Sequence, residues 1–170
     1  MTGFLALEDG TVFRGESVGA EGYAFGEAVF TTSMTGYQEV VTDPSYAEQI
    51  VCFTAPMIGN YGVERDRCES SRPQARAVVM REARGPAWTD WLHRRGLVAL
   101  TGIDTRSLVV HLRERGAMRA IAVAGERIGG VRRQRRRAAH RSHDVTARQS
   151  ALPGSRCPKW SSRGSITTST

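Results

Sequence analysis

Lysine is almost missing from this chain: of 170 residues only Lys159 is one. It lies in no Gly-x-x-x-x-Gly-Lys loop, which excludes a Walker-type phosphate cradle and argues against ATP use by this chain alone. Cysteine is scarce as well. Cys52, Cys68 and Cys157 are odd in number and share no metal-ligand spacing, which argues against a disulfide framework and against a zinc site. No run approaches the ~18–20 apolar residues that cross a bilayer. Met1-Thr2-Gly3-Phe4 has neither the basic start nor the apolar run of a secretory signal. Together these absences predict a cytoplasmic protein with no membrane partner.

What is present divides unevenly. Residues 1–125 hold 13 basic and 15 acidic side chains, a net charge of −2. Residues 126–170 hold 11 basic and 2 acidic ones, a net charge of +9. In that second stretch Ile128, Val131, Val145, Leu152 and Ile166 are the large aliphatics and Trp160 the one aromatic. So little apolar area does not offset ~1–2 kcal/mol of backbone entropy per ordered residue. The division predicts a folded domain over 1–124 and an Arg-rich, disordered tail over 125–170. The tail's Arg132-Arg133-Gln134-Arg135-Arg136-Arg137 could neutralise phosphates. A nucleic-acid role is disfavoured, because the folded part is slightly acidic and no aromatic platform interleaves with the arginines.

Phe4–Leu7 and Thr11–Arg14 flank Glu8-Asp9-Gly10, a hairpin signal in which Gly takes the positive φ of the turn. Glycines 15, 19, 22 and 26 predict a loop-rich stretch. Ala28–Thr32, Gln49–Thr54, Arg76–Met80, Leu97–Leu100 and Met118–Val123 predict strands. Thr89 is the predicted cap of a short helix stopping at Gly96, and Asp104 the cap of another running to Gly116. Leu108 and Leu112 share a face of the second helix. The pattern is that of a strand-dominated α/β domain ending near Ala124.

The segment richest in chemistry is Thr32-Ser33-Met34-Thr35-Gly36-Tyr37-Gln38-Glu39, followed by Thr42-Asp43-Pro44-Ser45-Tyr46. In Asp-Pro-Ser, Asp accepts backbone hydrogen bonds, Pro fixes φ, and Ser presents a short hydroxyl on a constrained backbone. Turn chemistry alone makes Ser45 a turn or capping serine.

Read in order, Leu7–Thr11, Gly26-Glu27, Val29-Phe30, Thr32–Glu39, Thr42–Tyr46, Gln49–Val51, Pro56 with Ile58–Asn60, Glu69–Ser71, Gly102–Arg106 and Leu112–Ala117 resemble the opening of glutamine-hydrolysing carbamoyl phosphate synthetase small subunits. The resemblance covers about residues 4–122. It departs from the family between Arg84 and Gly96, where relatives carry a longer stretch. The resemblance implies a three-layer β/β/α swivelling fold and contact with a large subunit that uses bicarbonate, ATP and Mg. It implies carbamoyl phosphate synthesis for arginine and pyrimidines. It also implies that Ser45 helps to bind glutamine, while no cofactor is bound by this chain itself.

The family's glutaminase chemistry belongs to a second domain, whose nucleophilic cysteine needs a glycine-flanked strand-to-helix turn. Cys52 lies within a strand run, Cys68 in a polar loop, and Cys157 directly before Pro158, so none is expected to be catalytic. His93 and His111 fall on predicted helices, and His140 and His143 lack neighbouring ligands for a metal. The expectation is therefore a domain catalytically silent alone. The tail's change of composition is what a shifted reading frame in GC-rich coding sequence would give, and for the chain as a whole a nonfunctional truncated remnant is the alternative to a working domain.

Overall fold

The computed structural model describes residues 1–64 and 66–125. The expectations placed on residues 126–170, including Cys157, His140, His143 and the arginine run, lie outside the described residues.

The Asp-Gly signal forms its hairpin. Strands β1 (Thr2–Leu7) and β2 (Val12–Ser17) pair antiparallel with Leu5 opposite Phe13. Asp9 closes the turn by accepting from the Thr11 amide at 2.9 Å. Next comes β3 (Gly22–Thr31), which begins well before the predicted Ala28. Gly15, Gly22 and Gly26 therefore sit in strands rather than in a loop. Gly26 is needed there for space: a Cβ on it would stand 2.5 Å from the Glu48 carbonyl oxygen, closer than side chains tolerate.

After β3 the chain forms helix α1 (Tyr37–Thr42) and a 3-10 turn (Pro44–Tyr46), then β4 (Gln49–Phe53). The short strands β5 (Met57–Ile58) and β7 (Glu82–Ala83) make a separate two-stranded sheet around β6 (Ala77–Val79) in sequence. Helix α2 (Pro86–Arg94) leads to β8 (Val98–Thr101), and α3 (Thr105–Arg115) leads to β9 (Met118–Ala124). Thr89 does not cap α2. The helix starts at Pro86, whose missing N–H is harmless in a first turn, after Gly85 at φ 74°; Thr89 lies inside that turn and donates to the Pro86 carbonyl at 3.1 Å. Asp104 does cap α3, accepting from the Ser107 amide at 3.0 Å.

Seven strands close in the order β1-β2-β8-β6-β4-β3-β9, with β9 back on β1. Within this barrel β3, β4, β6 and β8 run parallel to one another. Alternation along the strands sorts the apolar residues. Leu5, Leu7, Ile50, Cys52, Val79, Leu100 and the alanines of β9 face one cluster, which α3 joins through Leu108 and Leu112. Phe53, Val78 and Ala99 face the other way, against Tyr37 and Val41 of α1 and Trp88, Trp91 and Leu92 of α2. Helices therefore cover one β wall, and the opposite wall lies across the barrel interior. This is the sheet-dominated α/β architecture that the residues predict, its two β layers joined round their edges.

Candidate functional site

The segment between β3 and β4 is held by a chain of specific contacts. Gly36 adopts φ 79°, a conformation that a side chain disfavours. The turn directs the Gly36 and Tyr37 amides at the Tyr61 hydroxyl, at 2.5 and 3.4 Å. Tyr37 is buried, stacks on Tyr61 with ring centroids 4.3 Å apart, and packs on Trp88 at 4.7 Å. Its hydroxyl donates to the Gly62 carbonyl, and burial, reinforced by Tyr61, pushes its pKa up to about 12. The buried Gln38 side chain pairs with the backbone of Glu64, donating to its carbonyl at 2.9 Å and accepting from its amide at 2.8 Å. Oε2 of Glu39, by contrast, is buried with no hydrogen-bond partner among the described residues.

Thr42 ties the end of α1 to the following loop. Its hydroxyl donates to the Gln38 carbonyl at 2.7 Å and accepts from the Glu69 amide at 2.9 Å. Ser70 adds a bond to the Thr42 carbonyl at 2.5 Å. The Glu69 amide and the Ser70 hydroxyl thus bracket the residue before the Asp-Pro-Ser turn.

Asp43 then behaves as its chemistry predicts. Its carboxylate accepts from the Ser45 amide at 2.8 Å, and that contact, followed by the Ser45 hydroxyl, holds its pKa below the ordinary value. Tyr46 and Ala47 close the 3-10 turn on the Asp43 and Pro44 carbonyls, both at 3.0 Å. Ser45 itself is exposed, on a turn whose backbone is set from both sides. A hydroxyl so presented can donate to or accept from a polar ligand without reorganising its own backbone.

The cysteines do not join this turn. Cys52 is buried in β4, and desolvation raises its thiol pKa to about 12, the opposite of what a nucleophile needs. Cys68 is half-buried and accepts from Gln38 Nε2 at 3.7 Å. His93 is exposed on α2, and His111 on α3 meets Asp9 at 2.7 Å. No cluster of three metal-ligating side chains occurs among the described residues, and no described helix is long and apolar enough to cross a membrane.

A concavity exists elsewhere. A groove of about 600 Å³ runs along α3 and takes in Thr54, Arg81, Arg106 and Arg113, but not Ser45. Sequence reasoning passed over these arginines. The available signal was that Arg106 and Arg113, seven residues apart on a helix, share a face.

A family profile described as carbamoyl-phosphate synthase small chain, CPSase domain, matches residues 5–122. The chain is 51% identical over 130 residues to the carbamoyl phosphate synthase small chain of Xanthomonas campestris pv. campestris, covering 72% of this chain and 35% of the relative. Proteins of the same description from Nitratidesulfovibrio vulgaris and Streptomyces coelicolor are 49% and 50% identical over 129 residues, in each case 71% of this chain and 34% of the relative. The chain thus spans about a third of the length of these relatives.

Proposed function

The chain belongs to the carbamoyl-phosphate synthase small chain family, and from that premise we propose that its domain is a docking body for the large subunit and presents Ser45 to a glutamine site completed from outside the domain. It takes no part in bond breaking. Its contribution is to position a hydroxyl: the Ser45 side chain offers a hydrogen bond to the polar groups of glutamine, whose hydrolysis elsewhere supplies ammonia for carbamoyl phosphate and so for arginine and pyrimidine synthesis. ATP and Mg belong to the large subunit.

The observation that carries this reading is the way the Asp-Pro-Ser turn is held. Asp43 fixes the Ser45 amide, the Glu69 amide and the Ser70 hydroxyl hold buried Thr42 just before the turn, and yet Ser45 is exposed. Two further features support an outside partner. Met34 is 66% exposed beside α1, and the buried Glu39 Oε2 lacks a donor that an incoming side chain could provide. The silence of the domain alone is supported by the state of Cys52 and by the engagement of Cys68 with Gln38.

Co-expression with a large subunit, followed by size-exclusion chromatography and a glutamine-hydrolysis assay, tests the proposal. Co-elution without hydrolysis by the chain alone is expected. Hydrolysis by the purified chain that disappears on replacing one of its cysteines would overturn the silent role, and separate elution would overturn the docking role.

A further inference from the structure

The groove along α3 sits at the carboxyl ends of the barrel's parallel strands. Because β3, β4, β6 and β8 are parallel, their carboxyl ends lie at one end of the barrel. Thr54 follows β4 directly, Arg81 follows β6 by two residues, and α3 starts just after β8. Arg106 and Arg113 project from α3 into the same groove, with Thr105 at its first turn. The volume of about 600 Å³ is that of a small-molecule site.

The state of the three guanidinium groups is what gives the groove a chemistry. Arg67, Arg76, Arg84 and Arg115 each close on a carboxylate. Arg81, Arg106 and Arg113 make no ion pair or side-chain hydrogen bond among the described residues, although all three share one concavity. Asp104, at the start of α3, is spent on capping: its two oxygens take the Ser107 amide at 3.0 Å and the Ser107 hydroxyl at 2.7 Å. Its charge feels Arg81 without neutralising the fork. Val109 and Val110 line the groove between Arg106 and Arg113, giving an apolar wall between two cationic posts.

We propose that this groove binds a small molecule bearing an oxyanion, phosphate or carboxylate, through the guanidinium groups of Arg81, Arg106 and Arg113. Planar guanidinium forks match the paired oxygens of either group. The Thr54 hydroxyl offers a further hydrogen bond, and the valines receive the carbon body of the ligand. The helix N-terminus is not the binding element, since Asp104 occupies it. The proposal does not rest on the family assignment or on Ser45.

The test is an amide-resolved NMR titration of the full chain at low ionic strength, with sodium pyrophosphate and, separately, sodium citrate. Saturable shifts of the Arg81, Thr105 and Arg106 amides are expected with at least one probe, and which probe saturates first identifies phosphate or carboxylate as the preferred group. Arg81→Gln with Arg113→Gln should weaken binding by roughly tenfold or more, since charge-assisted contacts are the strong ones. Arg106→Lys keeps the charge but loses the fork, and a weakening of about two- to fivefold is expected. All three side chains are exposed, so melting curves should match the parent. Failure of both probes to saturate would overturn the proposal. So would saturable binding that the paired substitution leaves unchanged, because other arginines would then hold the anion.

Discussion

Replacing Thr42 by Val removes one oxygen and keeps the shape of a fully buried side chain. The loss is therefore electrostatic rather than steric. In the parent the hydroxyl donates to the Gln38 carbonyl at 2.7 Å, which as a helical acceptor has another claim on it, and accepts from the Glu69 amide at 2.9 Å. Valine leaves that amide without its acceptor in a half-buried position. An orphaned donor of this kind costs about 1–3 kcal/mol. For a body of this size each kcal/mol lowers Tm by about 4 °C, so a fall of about 4–12 °C is expected. Ser70 still bonds the Thr42 carbonyl, so the loop stays tethered and the damage is local. Thermal melts give the magnitude, and amide hydrogen exchange gives the location: Glu69 should lose protection in Thr42→Val and keep it in Thr42→Ser, which retains the hydroxyl. A valine variant that melts with the parent and keeps Glu69 protected would refute the idea that this contact braces the Ser45 turn.

Other consequences are equally measurable. The Thr11 amide, then its hydroxyl and His111, lower the Asp9 pKa from 3.8 to about 2. A depressed folded pKa stabilises above the unfolded value, so this contribution should fade as pH falls from about 4 towards 2, and urea midpoints should drop more steeply there in the parent than in Asp9→Asn. With its thiol at about 12, Cys52 should resist iodoacetamide at pH 8 in the folded chain and react in guanidinium, read by peptide mass spectrometry; labelling at the rate of an exposed thiol would contradict its burial. Gly26→Ala would press a methyl to within 2.5 Å of the Glu48 carbonyl and should cost about 1–3 kcal/mol, whereas a neutral result in urea melts would mean that β3 and the Glu48 backbone separate freely.

The elements readable from the chain were those whose signals are local. Asp104 announces α3 because the capping oxygen reaches an amide only three residues on, and Asp9-Gly10 announces its hairpin for the same reason. The start of β3 was hidden because Gly22 and Gly26 look like loop until β9 arrives to pair with them, Gly22 opposite Ala124 and Gly26 opposite Ala120. For α2 the informative residue was Pro86 rather than Thr89, since a proline in the first turn is a stronger start signal than a threonine three residues inside. Helix α1 is six residues long, too short for periodicity to show, and exists because Tyr37 and Gln38 are fastened to Gly62 and Glu64. The Asp43–Ser45 contact was legible as turn chemistry. The arginine groove was not, because Arg81 meets α3 only through the parallel order of β4, β6 and β8.

That order also separates the two candidate sites. Ser45 precedes β4 and so lies at the amino end of the parallel strands, beside the Arg76–Glu48 pair that precedes β6 and β4. Thr54, Arg81 and the start of α3 follow the same strands and lie at the carboxyl end, where the Thr54 amide reaches back to the Thr31 carbonyl at 3.1 Å. The five residues of β4 hold these ends about 16 Å apart at ~3.3 Å per residue. Ser45 and the groove are therefore distinct places on the domain. Besides β4, α1 also links the two ends: it starts at the carboxyl end after Gly36 and delivers the chain to Ser45 at the other. Thr42, at the end of that helix, is the residue whose loosening should be felt at Ser45 first.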